Sequence, residues 1–274
     1  MPTPLVSADN FLRIRTLAHA RWGLDINPGK LELINGRMSK LLRQRAGETV
    51  DSVLDQLERG GDAALDMQVF DVLSTNLTSF FREREHFDSL DEHVIQPLVA
   101  AGGPRRLRLW SAACSKGCEP YTMAMVLRDR LPDPDTWDVR ILATDLAQSV
   151  VEEARRGIYK ANMVEDLHPD LVRRHFQTGQ GDFAGHYRVR PELRRMVTFG
   201  LVNLIAPWPH QGPFDAVFCR NVMIYFDEPT RRALVERLRG LLRPGGMLYL
   251  GSSESLSEVP GHLQRVQPAA YRAA

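Results

Sequence analysis

At 274 residues the chain suits one large or two smaller domains built around a substantial core. With 35 basic residues against 34 acidic ones the net charge is +1, so global electrostatics predicts attraction to neither nucleic acid nor a membrane surface. The N-terminus (MPTPLVSADNFLRIR) lacks the apolar core of a signal peptide, and the longest uncharged run, Met196–Phe214, is broken by Asn203, Pro207, Pro209 and His210. No membrane insertion is expected, and the expected compartment is cytoplasmic.

Residues 1–72 carry only helical patterning and predict a small all-α domain. Asp9 is placed to cap a helix carrying Phe11, Leu12, Ile14, Leu17 and Ala18. Asn27-Pro28 opens a second, with Leu31, Ile34, Met38, Leu41 and Leu42 on one side and proline in a first turn, where it is tolerated. Val50–Leu57 and Ala63–Leu73 follow, separated by Gly60-Gly61. The second helix is basic: Lys30, Arg37, Lys40, Arg43 and Arg45 stand against Glu32 alone, and Arg37, Lys40 and Gln44 share a face. Between Glu48 and Asp66 the sign reverses. Such a face is either solvated surface or a docking site for an acidic partner.

After a connector at about Ser74–Arg84, strands and helices alternate: Leu107–Trp110 strand, Glu119–Leu131 helix, Val139–Ala143 strand, and Ser149–Arg156 helix ending at Gly157. His186–Arg190 alternates behind Gly179, Gly181 and Gly185 and predicts a small antiparallel excursion before a return at Met196–Val202. Phe214–Cys219, a helix over about Glu228–Leu242, a Pro-Gly-Gly turn and Met247–Gly251 form a further βαβ unit, and Leu263–Tyr271 is expected to close an antiparallel edge. Alternation of this kind is the signature of an α/β doubly wound sheet, which binds ligands outside the carboxyl ends of its strands.

Hydrogen-bonding residues stand at those ends. The first βα loop, Ser111 to Tyr121, has no G-x-G-x-x-G, which argues against a dinucleotide clamped by its pyrophosphate. Glu119 sits where a phosphate binder would avoid an acid; it suits a ligand with an ammonium group, or simply favours its helix dipole. Asp145, 28 residues beyond Gly117, follows the second strand and can accept hydrogen bonds from two ribose hydroxyls, or cap the next helix. Asn203 and Leu204 follow the third strand, where an amide donor and acceptor beside an apolar neighbour could line an adenine pocket. Arg220, Asn221 and Tyr225 follow the fourth. Cys114 and Cys118, spaced C-x₃-C without a second Cys or His pair, read as packing residues, and no metal is expected.

Six segments, in order, carry a resemblance over nearly the whole chain: NLTSFFRE (Asn76–Glu83), GCEPYT, ATD, VNL, CRNVMIYF and LLRPGG. They resemble the chemotaxis-receptor glutamate O-methyltransferases, the CheR family of class I S-adenosylmethionine (SAM) methyltransferases. The resemblance implies a Rossmann-like methyltransferase domain at 91–274 with a β subdomain at about 173–195, and a connector at 73–90 folded back over the cofactor. Carried over residue by residue, the implied cofactor contacts are Asn76, Thr78, Arg82, Glu119, Asp145, Asn203, Leu204, Arg220 and Asn221. A guanidinium such as that of Arg82 can bind a carboxylate bidentately. One departure stands out: where relatives commonly show two acids before the proline, this chain has Cys118-Glu119.

The implied reaction moves a methyl group from SAM, leaving S-adenosylhomocysteine (SAH), to glutamate carboxylates of chemoreceptor cytoplasmic helices, forming methyl esters for chemotactic adaptation. Tyr225 and Arg220 are the candidates for orienting the acceptor, and the basic helix (Arg37, Lys40, Arg43) for meeting the receptor. Two other readings share the fold. An RNA methyltransferase could use the basic helix on phosphates, although neutral charge and the lack of an aromatic-basic stacking face argue against it. A non-catalytic SAM-binding adaptor would keep the cofactor residues without turnover.

Overall fold

The structure is a computed structural model and describes residues 5–256, 259 and 261–274. The helical region consists of α1 (Ala8–Trp22), α2 (Leu31–Gln44), α3 (Val50–Arg59) and α4 (Ala63–Leu73). Ser7, not Asp9, caps α1: its hydroxyl accepts the Asn10 amide, while Asp9 sits in the first turn, where its charge favours the dipole. Asn27 accepts from the Gly29 amide and starts a 3₁₀ turn, Pro28–Lys30, which runs into α2. The pairs α1–α3 and α2–α4 pack together, and Arg13 forks across to Asp55 and Glu58.

A helical stretch the sequence pattern misses comes next. Helix α5 (Glu85–Leu90) passes through a π turn (Asp91–Ile95) into α6 (Gln96–Ala100). The Gln96 amide donates to the Asp91 carbonyl, five residues back, and Pro97 sits in the first turn of α6, where its missing N–H is tolerated. His86, Phe87, Leu90, Val94 and Ile95 are buried along it, a periodicity that slips at the π turn.

The strands are β1 (Arg106–Ser111), β2 (Asp138–Asp145), β3 (Ile158–Lys160), β4 (Phe176–Thr178), β5 (His186–Val189), β6 (Val197–Leu201), β7 (Phe214–Cys219), β8 (Leu242–Leu250), β9 (Leu263–Gln267) and β10 (Ala270–Ala273). The helices among them are α7 (Cys118–Arg130), α8 (Gln148–Arg156), α9 (Pro169–His175), α10 (Pro191–Arg194) and α11 (Glu228–Arg239). Seven strands form one sheet in the order β6-β2-β1-β7-β8-β10-β9. The first five run parallel, and β10 and β9 close the edge antiparallel. The β9–β10 hairpin is the expected closing edge. The Pro-Gly-Gly expected as a turn lies inside β8, whose pairing with β7 is irregular between Phe214 and Ala216. A separate sheet, β3-β5-β4, recruits Ile158–Lys160, too short a run to show any period.

Residues of one strand alternate between two cores, as they must in a sheet covered on both faces. Val217, Cys219, Leu248 and Leu250 face α1–α4, α8 and α11, whereas Ala216, Phe218, Met247 and Tyr249 face α5–α7. The first core runs without a break from Trp22, Ile34, Leu54 and Phe70 into Trp110 and Val217, so the helical region and the sheet share apolar packing. Helices therefore flank a mostly parallel sheet, the doubly wound arrangement.

Strand order reverses between β1 and β7. Ligands bind at such a switch point, outside the carboxyl ends of the two strands.

Candidate active site

A cavity opens at that point. It encloses about 1280 Å³ of empty space, part of it continuous with solvent. The loops after β1, β2, β6 and β7 supply one wall through Ala112, Ser115, Glu119, Asp145, Leu146, Asn203, Leu204, Arg220, Asn221 and Tyr225. The helical region and connector supply the other, through Trp22, Leu24, Ile26, Ile34, Arg37, Phe70, Asn76, Thr78 and Arg82. Every residue singled out from the sequence for cofactor or acceptor thus lines one cavity.

The β1–α7 loop is shaped by two unusual backbone positions. Gly117 has φ of 86°, and a Cβ there would stand 2.9 Å from Ala154 Cβ, so only glycine closes this turn against α8. Ser115 takes φ of 47°, held by its amide donating to Asp145 Oδ2 at 2.8 Å. Asp145 Oδ1 accepts the Ala147 amide at 3.0 Å. Neither Asp145 nor Ser149 caps α8, whose N-cap position is Ala147. Burial raises the Asp145 carboxyl above its usual range, against the pull of these amides. Its remaining lone pairs are the ones a pair of hydroxyls would use.

Glu119, in the first turn of α7, accepts Ser111 Oγ at 2.7 Å and Arg220 Nη1 at 3.0 Å. On the opposite side of Arg220 stands Glu83, at 3.1 Å from Nη2. The Arg220 side chain is only 2% exposed and lies over the rings of Phe87 and Phe218. Its Nη2 also donates to the Arg82 carbonyl. Arg220 therefore binds two carboxylates and the connector through its two Nη atoms, a structural load beside the acceptor-orienting role expected from sequence, and its buried Nε has no partner among the described residues. Sequence could not show this, because Glu83 reaches the site only through chain reversal at the connector.

The two acids shift in opposite directions. Burial opposes charge on Glu83, but Asn221, Arg220 and the Ser252 amide outweigh it and hold its carboxyl below the usual range. For the more deeply buried Glu119, desolvation wins and the carboxyl is raised despite Arg220 and Ser111. Next to it the Cys118 thiol, buried against Thr78, is pushed up to about 12 and stays neutral. Glu119 is the acid that this helix turn presents to the cavity.

Asn203 lines the cavity with its amide partly engaged, one N–H and one lone pair being left over. Its Nδ2 donates to the Arg21 carbonyl at the end of α1 at 2.9 Å, and its Oδ1 accepts the Ile205 amide at 3.1 Å. The side chain fastens the helical region to the β6 loop, leaving Leu204 and the aromatic and aliphatic wall opposite to pack against a flat ring. Asn76 donates to Ser74, and its carbonyl accepts Ser115 Oγ, which pins the connector to the β1 loop. Tyr225, on the 3₁₀ turn Met223–Tyr225, points its hydroxyl toward the Thr75 carbonyl at 3.5 Å.

Arg82 is half-exposed and makes no ion pair among the described residues; its Nη1 donates to the Leu77 carbonyl at 3.1 Å. Its planar fork is available for a ligand carboxylate. Replacement by lysine is expected not to restore ligand binding to an Arg82→Ala protein, because a point charge does not reproduce a bidentate fork. Calorimetry with SAH on Arg82→Lys and Arg82→Ala checks this, and wild-type affinity in the lysine variant would refute it.

Carboxylates at the depth of a cavity, a guanidinium without an ion pair, an acid with free lone pairs beyond β2 and an apolar wall suit a nucleoside joined to an amino acid. Residues 76–271 match the family described as CheR methyltransferase, SAM binding domain. The chain belongs to the CheR family. Among curated proteins it is 38% identical over 262 residues to a chemotaxis protein methyltransferase of Escherichia coli, covering 95% of this chain and 87% of that one. To chemotaxis protein methyltransferase 1 of Pseudomonas aeruginosa it is 37% identical, covering 94% of each. A probable chemotaxis protein methyltransferase of Rhizobium etli is 36% identical over 88% of this chain and 90% of its own. As a CheR-family member the chain is a SAM-dependent methyltransferase, and the cavity residues fit that cofactor. Sequence reasoning missed two acids, Glu83 and Glu254. Glu83 directly follows Arg82 in the connector motif, which was the available signal.

Proposed function

We propose that this protein transfers the methyl group of SAM to glutamate side chains of chemoreceptor cytoplasmic helices, at the switch-point cavity. The observation that carries the reading is the convergence of Arg82, Glu119 and Asp145 on one cavity in a chain of this family. When bound, SAM supplies an electrophilic methyl on a sulfonium. Glu119 would hold its ammonium, Arg82 its carboxylate, Asp145 its ribose and Leu204 its adenine, with Asn76, Thr78 and Asn221 as further polar contacts. Arg220 would act by fixing Glu119. Tyr225 would face the acceptor. A glutamate carboxylate is already ionised at neutral pH, so the site requires no strong general base, and positioning supplies the acceleration. The reading places the protein in the cytoplasm, with its substrate.

The deciding experiment is transfer of labelled methyl from SAM to a receptor cytoplasmic fragment, with transfer RNA as a second acceptor. Base-labile methyl ester on the receptor fragment alone is expected. Label on RNA would favour the RNA methyltransferase, and SAM binding without transfer would favour the adaptor.

The basic helix α2 is the proposed receptor contact, with one revision. Arg37 is half-buried and donates to the Leu73 carbonyl and to Thr75 Oγ1, so it braces the connector. Lys40 and Arg43 are exposed and remain for docking. Charge reversal at both, Lys40→Glu with Arg43→Glu, is expected to raise the receptor KM and leave SAH affinity unchanged. Added salt should slow the wild type more than this variant, because exposed charges more than about 8 Å apart are already largely screened at 0.15 M and this distance shrinks as salt is added. Equal salt dependence with an unaltered receptor KM would make α2 ordinary solvated surface.

A further inference from the structure

Glu254 lies on the 3₁₀ turn Ser252–Glu254 that follows β8, outside the six segments that carry the family resemblance. Its carboxylate is almost entirely buried and gathers three backbone amides. Oε2 accepts Asn221 N at 2.6 Å and Gly251 N at 2.8 Å, and Oε1 accepts Ile224 N at 3.0 Å. Asn221 and Ile224 belong to the turn after β7 that carries Asn221 and Tyr225 to the cavity. A carboxylate from the neighbouring strand end therefore clasps that turn at two points. The clasp holds an uncommon backbone: Asn221 takes φ of 59°, the left-handed region, which asparagine adopts more readily than most non-glycine residues. Glu83 holds the same residue from the other side, through Asn221 Nδ2 at 3.1 Å. At Gly251 a Cβ would lie 2.5 Å from Glu254 Oε2 and 2.6 Å from Asn221 Nδ2, so the clasp closes only against glycine.

We propose that Glu254 is a positioning residue for methyl transfer, fixing the turn Asn221–Tyr225 so that Asn221 meets the cofactor and Tyr225 meets the acceptor. The proposal rests on the function proposed for the switch-point cavity. Only a carboxylate of this length accepts at both ends. Glutamine keeps one oxygen and turns an NH₂ toward amides that themselves donate, and aspartate is a methylene short.

The test compares wild type, Glu254→Gln, Gly251→Ala, Tyr225→Phe and the combination of Glu254→Gln with Tyr225→Phe. Methyl-ester formation on a receptor fragment is measured beside SAH affinity by calorimetry. Glu254→Gln is expected to lower kcat about ten- to a hundredfold while the receptor KM stays within about twofold. The double variant should be no slower than the slower single variant, since both changes remove the same placement. Gly251→Ala should show the same split between kcat and KM from the other side of the clasp, and it carries the test should Glu254→Gln fail to fold. Wild-type kcat in folded Glu254→Gln, or losses that multiply in the double variant, overturns the positioning role. A wild type that esterifies no receptor fragment sinks the proposed function instead. The binding arm then decides alone: Glu254→Gln should weaken SAH about fivefold or more through Asn221, and unchanged affinity overturns the proposal.

Discussion

Asp145→Ala is expected to weaken SAH binding roughly ten- to over a hundredfold, the value of about 1.5–3 kcal/mol for a hydrogen-bond acceptor that carries charge. Two effects add in this variant. The ligand hydroxyls lose their acceptor, and the Ser115 amide loses the oxygen that holds its left-handed backbone in place. Asp145→Asn separates them: it keeps the side-chain size and one accepting oxygen, and should fall between wild type and alanine. Calorimetry on proteins of matched circular dichroism reads both. Unchanged SAH affinity in a folded alanine variant would refute the ribose assignment.

The second large effect concerns stability. Arg220→Met keeps much of the side-chain bulk but leaves Glu83 and Glu119, only 16% and 12% exposed, facing each other without their shared cation. Breaking a buried pair from one side costs about 3–5 kcal/mol. For a chain of this size that lowers Tm by on the order of 10 °C. Glu119→Gln introduced into the Arg220→Met protein should recover part of the loss by removing one uncompensated charge, which identifies electrostatics as the cause. A single variant melting within about 2 °C of wild type would mean that the two acids tolerate each other, most simply by one taking up a proton.

Much of the architecture is legible in the sequence because the sheet is covered on both faces. Largely apolar runs such as Phe214–Cys219 and Leu107–Trp110, each interrupted by a single charged residue (Asp215, Arg108), fit a buried strand, and residues just beyond such strands fall at the cavity whatever the loop detail. The illegible parts share a cause: their meaning depends on partners distant in the chain. Glu83 and Glu254 look like surface acids until the connector and the β8 end are brought to Arg220 and Asn221. Nothing around Asn203 in the sequence shows that one of its amide hydrogens goes to the carbonyl at the end of α1. Arg37 looks like docking surface until the end of α4 and the connector fold beneath it. In each case a polar side chain is claimed by backbone that sequence patterns leave unplaced. The helix over 85–100 was hidden for a different reason, a local change of helical pitch at the π turn.

The α1–α4 wall of the cavity has a consequence for how such a protein can be taken apart. Trp22, Ile34 and Phe70 belong to the same apolar cluster as Trp110 and Val217, while Leu24, Ile26 and Arg37 border the cavity. The segment proposed to meet the protein substrate thus also lines the cavity proposed for the cofactor. Exchanging it for the corresponding segment of a relative would not be a transfer of specificity alone, since the graft would bring a different purine-side lining and a different brace for the connector. On the proposed role of α2, receptor choice and donor affinity would be soldered together in this chain, and would evolve, or be redesigned, as one trait.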